Sequence, residues 1–357
     1  MMKWWNKLLG LVIIVMLLFL TACQKQLSQH YVWMGEGKIE NNVELEKMFV
    51  KLKDAGITGV MYQTTLQKYP KVVSLAHKHG LELHAWQNIM RRYDNTLLNE
   101  HKDWYTVSRD GKSTAEDQPY VYYYKWLCPS KQEVRDYLTE LVEDLASVPN
   151  IDGVHLDYIR HSDVILPTQL WEKYNLVMDK EHAEFDFCYC DNCVETYKLK
   201  TGEDASRLGD SAPDNEKWRQ FRYDMVNETV EQLTKAVRAK GIKVTAAVFP
   251  TPDIARNLVR QDWSSWNLDA YYPMNYHSFY EESPDWIRTA CAEGTMAIGN
   301  NKPLYSGIFV PSLQNIKDFK TAIRSSKKGG AKGVCLFTPY SFSDKHWEAL
   351  AYEIDNW

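Results

Sequence analysis

The feature that most constrains the fold of this chain is an alternation of short apolar runs with amphipathic ones, repeated eight times from residue 31 onward. Runs at 31–36, 57–63, 81–87, 153–159, 243–249, 268–276, 303–309 and 333–338 have the length and composition of strands. Between and after them, 43–55, 70–79, 131–147, 215–240, 254–259, 284–293, 312–327 and 344–354 place apolar residues at helical spacing. Gly56, Gly80 and Gly241 follow three of these helices, where a residue of positive φ closes the last turn. Strands that alternate with helices pair in parallel, and eight such units close into a barrel. A doubly wound open sheet would carry a glycine-rich phosphate loop after its first strand; Gly35-Glu36-Gly37 lacks the glycine that opens the helix in that motif. The expected fold is α/β, a (β/α)8 TIM barrel over 31–357, with a Cys-rich subdomain at 161–213 inserted after strand 4.

Residues 1–23 stand outside the alternation. Lys3 and Lys7 make a basic start, 8–20 is apolar, and Leu20-Thr21-Ala22-Cys23 fits a bacterial lipoprotein signal whose cysteine becomes the lipidated N-terminus. The apolar run is shorter than the ~20 residues of a spanning helix. Residues 24–30 read as a polar tether. The expectation is an exported protein, held at the cell envelope by a lipid on Cys23. A net charge of -5 and no long basic run after the N-terminus argue against nucleic acid as a partner.

In a barrel of this kind the residues just past each strand converge on one face and build the cleft. The fourth strand is the most informative. In Asp152-Gly153-Val154-His155-Leu156-Asp157-Tyr158-Ile159-Arg160 an apolar run turns polar at its exit. A carboxylate at the end of a central strand is costly to desolvate without a purpose, so Asp157 is expected to act in catalysis or binding. Around it the alternation places Glu36, Tyr62, Gln63, His84, Trp86, Gln87, Asn88, His155, Arg160, Phe249, Asp253, Asn275, Tyr276, His277, Thr338 and Tyr340, with Asp262-Trp263 between strands five and six. Carboxylate, imidazole, amide and indole groups suit a polyhydroxylated substrate, and 13 Trp and 22 Tyr supply flat faces for sugar rings. Trp86, His155, Arg160, Asn275, Tyr276 and His277 are the expected substrate-binding residues. His84 reads equally as a structural histidine, Arg160 as the partner of a nearby acid, and Trp86 as core.

Cys188, Cys190 and Cys193 form a C-x-C-x-x-C cluster, and Cys128 in the loop after strand three can complete four thiolates around Zn. His182 is a weaker substitute ligand. Four thiolates leave no open position, so the metal would be structural and catalysis would need no cofactor. Disulfides are the competing reading for an exported chain, although thiols this close make strained loops.

Several segments resemble the glycoside-hydrolase-like barrel family known as family 10 glycosylhydrolase-like proteins of the domain-of-unknown-function type. They are 153–160, His101-Lys102-Asp103-Trp104 with Arg109-Asp110-Gly111-Lys112, Val248-Phe249-Pro250, Gln261-Asp262-Trp263 and Pro273-Met274-Asn275-Tyr276. The resemblance implies a barrel hydrolysing glycosidic bonds of an envelope or extracellular polysaccharide or oligosaccharide. The cysteine spacing is similar to the structural Zn site of family 42 β-galactosidases. The fourth strand departs from family 18 chitinases: Ile159 stands where their D-G-x-D-x-D-x-E motif has its catalytic Glu, so their mechanism does not transfer. The seventh strand, Tyr305-Ser306-Gly307-Ile308-Phe309, lacks the Glu nucleophile of the large retaining clan.

Glycosidases use two carboxyl groups, ~5–5.5 Å apart for retention and ~6.5–9.5 Å for inversion. Asp157 is the first; Glu36 and then Asp262 are the expected partners, ahead of Asp253 and Asp94. The alternative is a non-catalytic glycan-binding lipoprotein. An aldolase would want a strand-end Lys, which none of these positions offers.

Overall fold

Eight short strands carry the fold: β1 (Tyr31–Gly35), β2 (Gly59–Gln63), β3 (Glu82–Asn88), β4 (Gly153–Asp157), β5 (Lys243–Val248), β6 (Ala270–Pro273), β7 (Tyr305–Phe309) and β8 (Gly333–Phe337). In the computed structural model, which describes residues 28–39, 41–299 and 302–357, they pair in parallel in the order β6-β5-β4-β3-β2-β1-β8-β7. Parallel bridges Tyr271–Leu304 and Met274–Gly307 join the two remaining edges, and the sheet closes into the expected barrel. The signal segment and Cys23 lie outside the described residues.

The helices are α1 (Asn42–Asp54), α2 (Tyr69–Lys78), α3 (Asn95–Glu100), α4 (Gln132–Ala146), α5 (Gln169–Tyr174), α6 (Asp191–Thr201), α7 (Glu216–Ala239), α8 (Pro252–Val259), α9 (Trp286–Ile298), α10 (Ile316–Lys328) and α11 (Asp344–Asp355). Eight of them follow the eight strands, and α3, α5 and α6 sit in loops. Side-chain caps fix several starts: the Asn41 carboxamide accepts from the backbone of Val43 and Glu44, Asn215 from Trp218, and Thr251 from Ile254 just after Pro252 enters α8. Gly56 at φ 86°, Gly80 at 66° and Gly241 at 74° turn the chain back toward the sheet.

Strand alternation sorts the core into two layers. Val154 and Leu156 of β4 face outward into the large apolar layer beneath the helices. Inside, Tyr31, Trp33, Met61, Tyr272, Tyr305 and Cys335 fill the barrel together with His84 and His155. Gly153 has no side chain because its register partner on β3, His84, occupies that space.

Of the residues read as a tether, 28–30 fall within the described part of the chain, and two of them pack against the barrel. His30 is fully buried, its ring set edge-on 4.9 Å from that of Trp357, and Gln29 accepts a hydrogen bond from the Tyr305 hydroxyl at 2.7 Å. These two residues plug the underside of the barrel, where a buried imidazole and an amide satisfy neighbouring donors.

Candidate active site

Asp157 closes β4 and opens onto a cavity of about 350 Å³ at the C-terminal face of the barrel. The next residue, Tyr158, takes φ 50°, a left-handed conformation that costs a bulky side chain energy and is held where surrounding structure enforces it. The enforcement is visible. Gln261 donates to Ile159 O at 3.2 Å and accepts from Phe249 N at 2.8 Å, tying the ends of β4 and β5 together.

The Asp157 carboxylate accepts from Trp86 Nε1 at 2.9 Å and from the backbone N–H of Tyr158 at 2.7 Å. Burial pushes its acidity down and its pKa above the ordinary carboxylate value; the two hydrogen bonds and the charges of Arg160 and Arg91 oppose that only in part. The result is a carboxyl group that keeps its proton to higher pH than a surface aspartate.

Aromatic rings make most of the cavity wall, including Trp33, Trp86, Tyr123, Tyr158, Tyr276 and Phe309. Two cations are set among them. The Arg91 guanidinium lies 4.1 Å over the Tyr158 ring, and Arg160 sits 4.8 Å from Trp126 and 4.9 Å from Phe249. Arg160 also pairs with Asp163 at 3.3 Å, and Asp163 accepts from the Tyr120 hydroxyl at 2.6 Å. Burial works against the Arg160 charge, but Asp163 outweighs it and keeps the guanidinium protonated.

The structure gathers some of the expected residues and disperses others. Asp157, Trp86, Arg160 and Tyr276 all line the cavity. His155 does not reach it. Side chains alternate along β4, so His155 lies two residues deeper, fully buried inside the barrel. Its Nε2 accepts from Trp33 Nε1 at 2.9 Å, so the proton sits on Nδ1 and is donated to Thr245 Oγ1 at 2.8 Å. Burial first, and then His84, lower its pKa well below the usual value, so the ring is neutral.

Asn275 is also buried away from the cavity, its amide donating to Ser306 Oγ at 3.0 Å and Cys291 Sγ at 3.2 Å. His277 is buried and does not line the cavity wall. Glu36 lines a separate groove with Tyr62 and Lys71, and its carboxylate is taken by Lys68 at 3.0 Å. Burial raises its pKa, but hydrogen bonds from Thr64 and Lys68 outweigh that and leave it below the ordinary value. Asp262 is held by Arg256 at 2.7 Å and is absent from the cavity lining. Asp253 projects into solvent and Asp94 caps α3.

Sequence reasoning passed over Asp163, Tyr120, Arg91 and Tyr280, all of which line the cavity. The signals available were the i,i+3 spacing of Arg160 and Asp163 and the tyrosine-rich run ending at Tyr124.

Away from the cavity, Cys128, Cys188, Cys190 and Cys193 bring their sulfurs within 4.8 Å of one another. Cys128 Sγ is 3.6 Å from Cys190 and 3.4 Å from Cys193. Four sulfurs bound tetrahedrally at ~2.3 Å from one ion would lie roughly 3.8 Å apart, so the residues fit a metal. The Val107 N–H points at Cys188 Sγ from 3.4 Å, and a separate small core of Phe187, Tyr197, Trp218 and Phe221 surrounds the thiols. The four cysteines form a candidate structural metal site that ties the insertion to the loop after β3.

Comparison with known proteins agrees with this architecture. The family model described as Glycosyl hydrolase-like 10 matches residues 51–166. The curated protein "Glycosyl hydrolase YngK" of Bacillus subtilis (strain 168) is 24% identical over 221 residues, 61% of this chain. The match spans only 35% of that relative's own length. Among solved structures, the PgaB (BpsB) glycoside hydrolase domain from Bordetella bronchiseptica superposes with a TM-score of 0.67 at 11% identity, covering 92% of this chain and 99% of that one. A catalytic mutant of Gan42B, a GH42 β-galactosidase from G. stearothermophilus, gives 0.63 at 11% identity, covering 93% and 57%. Alpha-L-fucosidase isoenzyme 2 from Paenibacillus thiaminolyticus gives 0.56, covering 92% and 48%. At such identities the likeness is one of fold: the chain has a (β/α)8 barrel of the kind seen in several glycoside hydrolases.

Proposed function

We propose that the protein hydrolyses glycosidic bonds of a polysaccharide or oligosaccharide at the bacterial cell envelope, with Asp157 as the acid. The observation that carries this reading is the placement of Asp157: a buried carboxyl group of raised pKa, aimed into an aromatic-walled cavity at the catalytic face of a barrel. A glycosidic oxygen leaves poorly as an alkoxide, and a carboxyl group that burial makes keep its proton to higher pH than a surface aspartate supplies what the leaving group needs. Trp86 fixes the orientation of that carboxyl. The aromatic walls offer stacking faces to sugar rings, and Arg91 and Asn88 offer donors to hydroxyls.

The envelope location rests on the signal pattern ending at Cys23, whose lipid would anchor the barrel to the membrane. Zn on the four cysteines would brace the insertion without entering the chemistry.

The test is a screen of purified protein against envelope polysaccharides and their oligosaccharides, read by mass spectrometry of released fragments. New reducing ends support the reading. Saturable binding of a glycan without any cleavage would replace it with the glycan-binding alternative.

A further inference from the structure

We infer that Asp163 is the second carboxylate of this site, the base that takes a proton from the attacking water, with Arg160 and Tyr120 as its positioning residues. This inference rests on the hydrolytic reading above and names the group that the sequence-expected Glu36 and Asp262 do not supply.

Hydrolysis with an acid on one side of the sugar requires a carboxylate on the other. Among the described residues lining the cavity, the acidic ones are Asp157 and Asp163. Asp163 is built into its place. One oxygen accepts from the Tyr120 hydroxyl at 2.6 Å and the other faces Arg160 Nη1 at 3.3 Å. Arg160 is itself fixed by donating to His161 O at 2.8 Å and by the flanking Trp126 and Phe249 rings.

A direct nucleophile must advance an oxygen onto the anomeric carbon. A carboxylate gripped at both oxygens is held back from that movement, yet each oxygen keeps a lone pair to accept from a water. The geometry therefore favours a base acting through water over covalent attack.

The step balances. Asp157 gives its proton to the glycosidic oxygen as the bond from that oxygen to the anomeric carbon breaks, the electron pair staying on oxygen. The water oxygen bonds to the anomeric carbon from the opposite face and passes its proton to Asp163. One water is consumed, two hydroxyl groups result, and the carboxyl pair re-equilibrates its proton with solvent.

The experiment compares wild type, Asp163→Asn and Asp163→Ala on the glycan that wild type cleaves, with NMR of the newly released anomer. Wild type should release the inverted anomer. Asp163→Asn should lose at least about 100-fold in kcat while KM changes by less than about threefold, as for a group acting in the transition state. Asp163→Ala with added azide should regain turnover and yield a glycosyl azide of inverted configuration, which loss of a purely structural ion pair would not do.

A retained anomer from wild type, or Asp163→Asn turnover within about tenfold of wild type, overturns the assignment. If loss of the Arg160 pair prevents folding, Tyr120→Phe keeps both carboxylates. It should lower kcat by about tenfold or more, as a lost hydrogen bond to a charged group does, at unchanged KM; unchanged kcat overturns the inference. A wild type that cleaves no glycan instead removes the hydrolytic reading, an outcome distinct from an active wild type indifferent to Asp163.

Discussion

Trp86→Phe isolates a single interaction in the proposed acid. The substitution keeps an aromatic ring on the cavity wall, beside Phe337 at 6.3 Å between centroids, and deletes the N–H that Trp86 donates to Asp157 at 2.9 Å. A hydrogen bond to a charged group contributes about 1.5–3 kcal/mol, and ~1.36 kcal/mol is a tenfold change in an ionisation equilibrium. The bond favours the charged form. Without it Asp157 should ionise about ten- to a hundredfold less readily, on top of the upward push from burial. The basic limb of kcat/KM, where the acid loses its proton, should move to higher pH accordingly. A substrate-free assay is carbon-13 NMR titration of aspartate-labelled protein, with Asp157→Asn identifying the resonance. Titration at unchanged or lower pH would refute the reasoning. The same shift has a consequence for stability. Because folding raises the Asp157 pKa, its contribution is fully present below the unfolded value of about 3.9 and is lost as pH rises through the folded value. Asp157→Asn, which lacks this loss, should gain in Tm relative to wild type as pH climbs through that window.

Three further outcomes are expected. Purified protein should carry one zinc per chain, and Cys193→Ser should lower Tm by at least about 5 °C, the effect of roughly 2 kcal/mol, while opening residues 161–213 to protease; thiol counting that finds two disulfides would reverse this. Gly153→Ala would place a Cβ 2.2 Å from His84 Nδ1 and 2.6 Å from Cε1, against a buried ring, and should cost about 1–3 kcal/mol or more in denaturant unfolding. Cys23→Ser should move the protein from the membrane to the soluble fraction, and unchanged fractionation would remove the lipid anchor.

The barrel was legible in the chain because strand and helix periods differ, and Gly56, Gly80 and Gly241 punctuate them. The cysteines were legible because chelation demands a spacing that packing does not. Asp157 stood out as a carboxyl group in an apolar strand. Depth and direction were not legible. His155 shares its inward face with Asp157 but sits two residues deeper, where Trp33 and Thr245 consume both ring nitrogens. Glu36 and Asp262 occupy loop positions with the right chemistry, yet each is claimed by a neighbouring cation, Lys68 or Arg256. Asn275 follows β6 but turns toward Ser306 and Cys291. Asp163 lies in the insertion, where no strand or helix period indicates which side chains face the cavity; its i,i+3 spacing from Arg160 was the one local signal, and the cavity lining and its contacts with Arg160 and Tyr120 show its place.

The central claim is that Asp157 delivers the proton that breaks a glycosidic bond. The most direct measurement is kcat for Asp157→Asn beside wild type on a glycan returned by the screen, with folding checked by circular dichroism. Turnover should fall by at least about 100-fold, the worth of a lost acid group. Turnover near the wild-type value in the folded variant would contradict that claim and remove Asp157 from the mechanism.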